Sequence, residues 1–326
     1  MATRPILEMQ SYKGRDNRGH ANSCGGRRCC GRYFGGRLAE AGRDVTFLVH
    51  ARRAEKIRSD GLRILSPHGD LTLQPRTIQA KDLTAAYDVI LLSVKAYALE
   101  AAINDFAPGL GAETMILPVL NGMRHIELLT SRFGERSVIG GVCIVAAEMD
   151  KDDRIVQLAD AQQLTYGERD GGTSERMNAL DETMQNAGFD ARLSENITQE
   201  MWQKWVQLAS IGAVTCLLRG NIGEIEAVPG GADLSLKILG ECSAIATACG
   251  YAPGDDFLTR IRAAMTTPGS QLTSSMYRDL VNGNRVEVDQ ILGDLLTRAR
   301  NLGIAAPLID AAFVNLSIYQ NRLAAK

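Results

Sequence analysis

The chain has 326 residues, of which 45% are hydrophobic, and it carries a formal net charge of −2. This length suits about two globular domains, and the near-neutral charge gives no electrostatic basis for binding nucleic acid or an anionic membrane. No apolar run reaches the ~18 residues of a membrane span, and of the seven cysteines the four after residue 32 show no paired zinc spacing. We therefore expect a reduced, cytoplasmic protein without a metal.

From Tyr33 onward, helical and strand patterns alternate along the chain. The run over 87–94 is continuously apolar, which is typical of a strand buried in a parallel sheet. Helical patterns cover 33–41, 52–60 and 97–106. Further strand patterns cover 44–49, 114–119, 137–147, 155–158 and 163–166, and 62–78 reads as a hairpin or an irregular pair of strands. The alternation predicts an α/β domain with a Rossmann-type doubly wound sheet over residues 20–193.

After about residue 194 the strand patterns stop, and Pro-Gly and Gly-Gly breaks separate helical stretches. These stretches lie near 196–218, 233–249, 255–266, 270–281, 286–302 and 307–323. We therefore predict an all-helical domain over residues 194–326. A nucleotide-binding α/β domain followed by a helical one is the layout of a dehydrogenase, and we expect the substrate in the cleft between the two.

The phosphate-binding loop expected before the first helix is incomplete. Gly26 and Gly31 match the outer glycines of the G-x-G-x-x-G fingerprint, but the middle position is Arg28, whose side chain should obstruct a pyrophosphate. Residues 10–24 are polar and lack strand alternation, so no strand is predicted before the loop. We still assign Gly26, Arg28 and Gly31 to the cofactor site.

A reading-frame shift would account for this defect. Moving the frame by one base over residues 20–32 permits M-[RQ]-I-L-V-V-G-A-G-A-V-G-G, which is a start codon, a buried strand and a complete loop. The alternative is that the printed residues are those of the protein. The glycine-rich part of the shifted text is weak evidence against this, because codons for Gly, Cys and Arg shift readily into codons for small residues. The Met, Ile, Leu and Val options upstream are more independent, and they lead us to predict that residues 1–19 are a non-native leader. If the residues are real, this chain should bind its cofactor poorly.

Basic residues after the second predicted strand favour NADP(H) over NAD(H). His50 ends the strand, Arg52 and Arg53 follow, and no carboxylate occurs before Glu55. NAD enzymes place an acidic residue here, whereas a positive charge accommodates the 2′-phosphate of NADP. The alternative is a solvated, basic start to the next helix.

Two polar segments follow later strands at their carboxyl ends, where cofactors bind in such sheets. Lys95 comes directly after the strand over 87–94, and Asn121 follows the strand over 114–119. Both are therefore placed for ligand contact, although an Asn-Gly pair is more often only a turn.

The helical domain contributes three further candidates. Lys204 lies between two tryptophans and shares an apolar helical stripe with Leu208. Such a lysine either extends along the surface or is partly buried, and a partly buried ammonium suits a proton donor. Ser275 can hydrogen-bond a carboxylate, and Glu287 begins a helix, where an acidic residue often only complements the helix dipole.

Taken together, these segments resemble the ketopantoate reductase (2-dehydropantoate 2-reductase) family from Tyr33 to the end of the chain. The most specific pieces are Gly35-Gly36-Arg37-Leu38, Ser93-Val94-Lys95, Leu120-Asn121-Gly122-Met123, Trp202-Gln203-Lys204, Gly223-Glu224-Ile225 and Ser274-Ser275-Met276 with Asp279 and Glu287. The resemblance implies reduction of ketopantoate to pantoate with NADPH, a step of pantothenate biosynthesis. It also allows a homodimer.

The resemblance also implies roles for single residues. Lys204 corresponds to the general acid that protonates the ketone oxygen, and Glu287 to the carboxylate that holds the substrate hydroxyl. Asn121 and Ser275 correspond to contacts with the substrate or the lysine, and Lys95 to a contact near the boundary of cofactor and substrate. An ammonium aimed at the carbonyl oxygen would stabilise the negative charge that reduction creates there.

Three positions depart from the family pattern. The family often has arginine where this chain has His50, and enzymes that reduce ketopantoate tend to carry asparagine at the positions of Leu208 and Gly212. The substrate therefore stays open. The alternatives are a reductase of the same fold for another 2-oxo or hydroxy acid, and a non-catalytic NADP-binding sensor.

Overall fold

The computed structural model describes residues 5–10 and 29–325. Gly26, Arg28 and most of the segment covered by the frame-shift hypothesis lie outside them. The chain divides into two compact units, Met1–Leu120 with His125–Thr198 and Asn121–Arg124 with Gln199–Lys326. The boundary after Thr198 lies five residues beyond the boundary that we predict after residue 193. The short segment Asn121–Arg124 belongs to the second unit.

The first unit contains a parallel sheet, a mixed sheet and the helices that cover them. Its strands are β1 (Ile6–Gln10), β2 (Val45–Leu48), β3 (Leu62–Leu65), β4 (Leu71–Leu73), β5 (Arg76–Ile78), β6 (Val89–Ser93), β7 (Met115–Pro118), β8 (Gly140–Met149), β9 (Ile155–Gly167) and β10 (Asp190–Leu193). Its helices are α1 (Cys30–Glu40), α2 (Ala51–Asp60), α3 (Leu99–Phe106), α4 (Arg124–Phe133) and α5 (Glu175–Met184). Short 3₁₀ turns lie at Ala80–Asp82, Ala96–Ala98, Ala107–Gly109 and Glu135–Ser137.

The parallel sheet has five strands in the order β5-β2-β1-β6-β7. Every residue of β2, β6 and β7 is buried, and for β6 this agrees with the prediction from the apolar run over 87–94. The core of this unit surrounds α1, whose Tyr33, Phe34 and Leu38 are buried among residues of both sheets and of α5. The predicted α/β class for the first part of the chain is confirmed.

The central strand β1 corrects the sequence analysis, which predicted no strand before the loop. Residues Ile6–Gln10 pair in parallel with β2 and with β6, starting from Ile6↔Val45 and Ile6↔Val89. The strand was missed because it is short and because Glu8, which is only 1% exposed, interrupts the apolar run. It lies within the predicted leader, residues 1–19, and the non-native origin of that segment stays a prediction.

The mixed sheet has the order β10-β9-β3-β4, and β8 pairs with β9. β3 and β4 are antiparallel, with Leu62 opposite Leu73, so the predicted hairpin is confirmed. β5, the last part of the same predicted segment, instead joins the parallel sheet beside β2. The two strands predicted over 155–158 and 163–166 are wrong in one respect, because β9 runs through both as a single strand paired along β8.

The second unit is helical, as predicted. Its helices are α6 (Ile197–Leu218), α7 (Ile222–Glu226), α8 (Gly231–Ala248), α9 (Asp255–Met265), α10 (Ser275–Val281), α11 (Asp294–Asn301) and α12 (Pro307–Ala324), with a π-turn at Asp289–Gly293. Residues on every side of α6 are buried, among them Trp205, Val206, Ala213 and Val214. A helix that is buried all round lies at the centre of its bundle. No helix within the described residues is long and apolar enough to cross a membrane.

Candidate active site

The first helix of the parallel sheet packs very closely on the strands beneath it. The amide of Gly31, in the first turn of α1, donates to Ser93 Oγ at 3.0 Å. A Cβ on Gly31 would lie 2.5 Å from the Ser93 Cβ and 2.7 Å from a Glu8 carboxylate oxygen. Only glycine fits there, and close helix–strand packing is what the last glycine of a dinucleotide fingerprint provides. Gly31 thus packs closely on the strand, and its role in cofactor binding stays a prediction.

The three basic candidates after β2 have different surroundings. Arg53 is largely buried, with 13% of its side chain exposed, and its guanidinium lies 3.8 Å from Asp153 Oδ1. The His50 ring, which is 43% exposed, lies 3.9 Å from Asp105 Oδ2. Arg52 is exposed to solvent. Arg52 is thus the better placed of the two arginines to meet a ligand phosphate.

Lys95 lies two residues after the end of β6 and is only 6% exposed. Its carbonyl accepts a hydrogen bond of 2.8 Å from the Ala98 amide, which closes the 3₁₀ turn Ala96–Ala98 at the carboxyl end of the strand. Because β1, β2 and β6 are neighbours in a parallel sheet, their carboxyl ends lie at one edge. The segments that carry Arg52 and Lys95 leave from that edge, and the Gly31 amide is bonded to Ser93, the last residue of β6.

In the second unit, Lys204 lies on α6 and is half-buried. Leu208 and Gly212 follow it at intervals of one helical turn, so the three positions share one face of the helix. Leu208 is half-buried, and a Cβ on Gly212 would meet the methyl carbon of Met276 at 2.8 Å. Where ketopantoate enzymes tend to carry asparagines, this face is therefore covered by a leucine and a methionine methyl.

The residue after Lys204 connects α6 to the segment that carries Glu287. The Trp205 indole N–H donates to the carbonyl of Ile291 at 2.9 Å within the core. Ile291 lies in the π-turn Asp289–Gly293, and its amide donates to the Glu287 carbonyl at 3.0 Å. Glu287 itself is 6% exposed. A buried carboxylate thus stands just before a turn that is bonded directly to α6.

The residue after Asn121 contacts the same turn. Gly122 has a φ of +77°, and a Cβ there would lie 2.6 Å from the carbonyl oxygen of Gln290. The left-handed conformation and the close approach both require glycine at this position. Asn121, which is half-buried, is therefore held beside the turn that follows Glu287.

Ser275 is positioned through its neighbours Ser274 and Met276. The Ser274 hydroxyl accepts from the Tyr277 amide at 2.9 Å and so caps α10, of which Ser275 is the first residue. It also shares a hydrogen bond of 3.0 Å with the Thr215 hydroxyl on α6. Since Met276 packs on Gly212, both neighbours of Ser275 contact α6.

The second unit thus gathers four predicted residues, Asn121, Lys204, Ser275 and Glu287, on segments that contact α6 or the π-turn bonded to it. The set offers a lysine ammonium, a buried carboxylate, an amide and a hydroxyl, which suits proton donation and polar binding of a small substrate. Sequence analysis missed the roles of Trp205 and Gly122. Their signals were the tryptophan beside the lysine and the glycine after Asn121, and neither indicated its tertiary partner.

Two buried cysteines of the second unit, Cys216 and Cys242, are held in the protonated form. Burial raises the pKa of Cys216 and of Cys242 to about 12, so neither supplies a thiolate near neutral pH. Within residues 5–10 and 29–325, no group of three or more His, Cys, Asp or Glu residues could hold a metal ion.

Comparison with known proteins identifies the family. The model described as "Ketopantoate reductase PanE/ApbA" matches residues 29–171, and "Ketopantoate reductase PanE/ApbA C terminal" matches residues 196–320. An uncharacterized oxidoreductase, YkpB of Bacillus subtilis, is 34% identical over 291 residues, which cover 89% of this chain and 95% of that protein. The 2-dehydropantoate 2-reductase of Mesorhizobium japonicum is 27% identical over 303 residues, 86% of this chain and 92% of that protein.

Solved structures share the fold over nearly the whole chain. The 2-dehydropantoate 2-reductase from Geobacter metallireducens has a TM-score of 0.82 at 24% identity and covers 96% of this chain and 99% of its own. D-mandelate dehydrogenase with NADH and anilino(oxo)acetate has a TM-score of 0.81 at 18% identity, with 98% and 99% covered. A dimeric ketopantoate reductase from Staphylococcus aureus has a TM-score of 0.76 at 20% identity, with 98% and 99% covered. These identities support the fold alone, whereas the family models and the relative from Bacillus subtilis show that the chain belongs to the ketopantoate reductase family.

Proposed function

We propose that the protein is an NADPH-dependent reductase that converts 2-dehydropantoate, or a related branched 2-oxoacid, into the 2-hydroxy acid. The observation that carries this proposal is the link between α6 and the π-turn, which ties the segment of Lys204 to that of the buried carboxylate of Glu287. Membership of a family of oxidoreductases supports the reaction class.

The described residues of the first unit fit a nicotinamide dinucleotide. The site around Gly31 has no room for a Cβ, and the exposed guanidinium of Arg52 and the amine of Lys95 belong to segments that leave the same edge of the sheet. These residues would hold the cofactor, together with Gly26 and Arg28 from the fingerprint. When bound, NADPH supplies the hydride.

The chain's own residues would perform the rest of the reaction. Lys204 donates a proton from Nζ to the carbonyl oxygen of the substrate, and its positive charge stabilises the alkoxide that forms there. Glu287 accepts a hydrogen bond from a substrate hydroxyl. Asn121 and Ser275 donate to the substrate carboxylate or orient the lysine.

The face of α6 that carries Lys204, Leu208 and Gly212 indicates which side arm the 2-oxoacid carries. Leu208 and the methyl of Met276 over Gly212 make this face apolar, which favours a 2-oxoacid with an apolar side arm. The structural likeness to D-mandelate dehydrogenase, with its NADH and anilino(oxo)acetate, agrees with a wider choice of substrate and cofactor. A 2-oxoacid other than 2-dehydropantoate is therefore the second candidate.

A homodimer is also proposed. The second unit exposes the apolar side chains of Leu218, Val314 and Ile318, and the similar enzyme from Staphylococcus aureus is described as dimeric. Sedimentation equilibrium would test this proposal, and a monomer at micromolar concentration would contradict it.

Oxidation of NADPH and of NADH in the presence of 2-oxoacids tests the main proposal. We expect turnover with NADPH by the chain in which residues 20–32 carry the frame-shifted text, and in that chain we expect Lys204→Ala to lower kcat by about 10²- to 10⁴-fold, the usual contribution of a general acid. Lys237→Ala is the matched control, because Lys237 is an exposed lysine on α8 of the same unit. Binding of NADPH without turnover of any 2-oxoacid would instead favour the non-catalytic alternative.

A further inference from the structure

A π-turn begins two residues after Glu287, the carboxylate that we assign to substrate binding. Asp289–Gly293 has π geometry, while the flanking residues Val288 and Asp294 have ordinary right-handed helical dihedrals. A π-turn is thus inserted between Glu287 and α11. Such insertions are rare, they add a residue to one helical turn and they occur frequently at functional sites. Glu287 lies just before this helix, and its carbonyl accepts a hydrogen bond of 3.0 Å from the amide of Ile291 within the turn.

Trp205 fixes this turn from α6. Its indole is almost completely buried and donates to the Ile291 carbonyl at 2.9 Å. The carbonyl belongs to the π-turn, where helix geometry is irregular and a side-chain donor can use a free lone pair. Because Trp205 follows Lys204, the same bond ties the position of the lysine's backbone to the turn.

Gly122 contacts the next carbonyl along the turn. The space for its missing Cβ is taken by the carbonyl oxygen of Gln290, at 2.6 Å. Because Gly122 follows Asn121, this contact also fixes the backbone of Asn121 beside the π-turn. Three segments far apart in the chain therefore meet at the turn, and each carries a candidate site residue one or two positions before the contact or the turn.

We propose that Trp205 and Gly122 are positioning residues that hold the π-turn and, through it, set Glu287 relative to Lys204 and Asn121. The inference rests on the proposed function, in which Glu287 holds the substrate hydroxyl. Neither positioning residue needs to touch the substrate. Loss of the Trp205 hydrogen bond should therefore affect substrates according to whether they carry a hydroxyl for Glu287 to hold.

The test compares Trp205→Phe with Trp202→Phe. Phenylalanine keeps an aromatic ring but removes the indole N–H. Trp202 is the matched control, because its buried ring stacks on Tyr251 with centroids 5.1 Å apart and, in the described part of the chain, its indole N–H makes no hydrogen bond. Each variant is assayed with 2-dehydropantoate and with 3,3-dimethyl-2-oxobutanoate, which differs only by lacking the hydroxyl.

For Trp205→Phe we expect kcat/KM with 2-dehydropantoate to fall about 10-fold, the effect of leaving one buried carbonyl without its donor. The fall with the hydroxyl-free analogue should be below about 3-fold, and Trp202→Phe should leave the ratio of the two substrates unchanged. An equal loss with both substrates would mean that Trp205 only stabilises the fold. No loss with either substrate would refute the proposal outright.

Hydrogen exchange provides a readout that does not depend on turnover. In Trp205→Phe we expect the backbone amides of Asp289–Gly293 to exchange about 10-fold faster, with no such change in Trp202→Phe. Unchanged exchange would overturn the claim that Trp205 holds the turn. If the wild-type enzyme reduced neither acid but the exchange rates behaved as expected, the proposed function would fail while the hold on the turn would stand.

Discussion

Replacing Gly122 by alanine should destabilise the second unit more than its position outside any helix or strand suggests. A φ of +77° costs a residue with a side chain about 1–2 kcal/mol. The added Cβ would also lie 2.6 Å from the Gln290 carbonyl oxygen and 3.5 Å from its carbon. Since both partners are backbone, one of them must move, and such overpacking typically costs about 1–3 kcal/mol. The sum is a loss of about 2–5 kcal/mol.

Urea unfolding followed by tryptophan fluorescence measures this loss in the right unit. The chain has two tryptophans, Trp202 and Trp205, and both lie on α6. Gly303→Ala is the control, because Gly303 belongs to the same unit and has a φ of +68° but no atom within 4 Å of its Cβ position. We expect the control to lose only the conformational cost of about 1–2 kcal/mol. Equal losses in the two variants would refute the contact between Gly122 and the π-turn.

Three further outcomes follow from single side chains. Leu208→Asn should raise the ratio of kcat/KM for 2-dehydropantoate to kcat/KM for its hydroxyl-free analogue by about 3- to 10-fold, the value of one hydrogen bond. Steady-state rates measure this ratio, and an unchanged ratio would contradict the prediction. Arg52→Gln should raise KM for NADPH about 10-fold and leave KM for NADH unchanged. Arg53→Gln should mainly lower the midpoint of unfolding, because Arg53 is largely buried. The opposite pattern would mean that Arg53, and not Arg52, meets the 2′-phosphate. Arg176 donates hydrogen bonds of 2.7 and 2.6 Å to the Glu168 carboxylate and so lowers its pKa. At a pH above the unfolded carboxyl pKa of about 4.3, the pair should therefore stabilise the first unit by about 1 kcal/mol. This contribution should vanish as the pH falls through the pKa of Glu168 in the folded protein. Urea midpoints of Arg176→Ala and wild type should therefore converge in acid, and a constant difference would contradict the linkage.

Local patterns predicted most elements of both units, for an identifiable physical reason. A strand buried on both faces is mostly apolar, as Val89–Leu92 of β6 are, and the helices of the second unit are separated by Pro and Gly breaks. The same reasoning failed at β1, because a buried carboxylate in a central strand violates the pattern. It also failed at α4, α5 and β10, which the sequence analysis left unassigned and whose packing is decided by distant partners.

The candidate site divides in the same way between local and tertiary information. Residue types and the family resemblance indicated Lys204, Glu287, Asn121 and Ser275. The connections between their segments could not be predicted, because they depend on a hydrogen bond from α6 to the Ile291 carbonyl and on the close approach of Gly122 to the Gln290 carbonyl. A π-turn leaves no mark in hydrophobic periodicity, so nothing in the sequence indicated where those connections would meet.

The centre of the parallel sheet offers a decisive test of the N-terminal segment, because only one strand can occupy it. β1 stands between β2 and β6, and its Ile6, Leu7 and Met9 are buried. At about 1.5–3 kcal/mol for each side chain, its removal costs about 5–9 kcal/mol, comparable with the whole stability of a typical domain. Deleting residues 1–19 from the present sequence should therefore unfold the first unit.

The same deletion should have no effect if residues 20–32 are first replaced by the frame-shifted text M-R-I-L-V-V-G-A-G-A-V-G-G. The replacement supplies its own apolar strand, which would take the place between β2 and β6, and its loop has glycine where the present sequence has Arg28. Circular dichroism and fluorescence titration with NADPH follow folding and binding in all four chains, and we expect the replaced chains to bind NADPH more tightly whether or not residues 1–19 are present. If the deletion unfolded the replaced chain as well, the frame-shift hypothesis would be wrong, because Ile6–Gln10 would then be a strand that the fold needs in either frame.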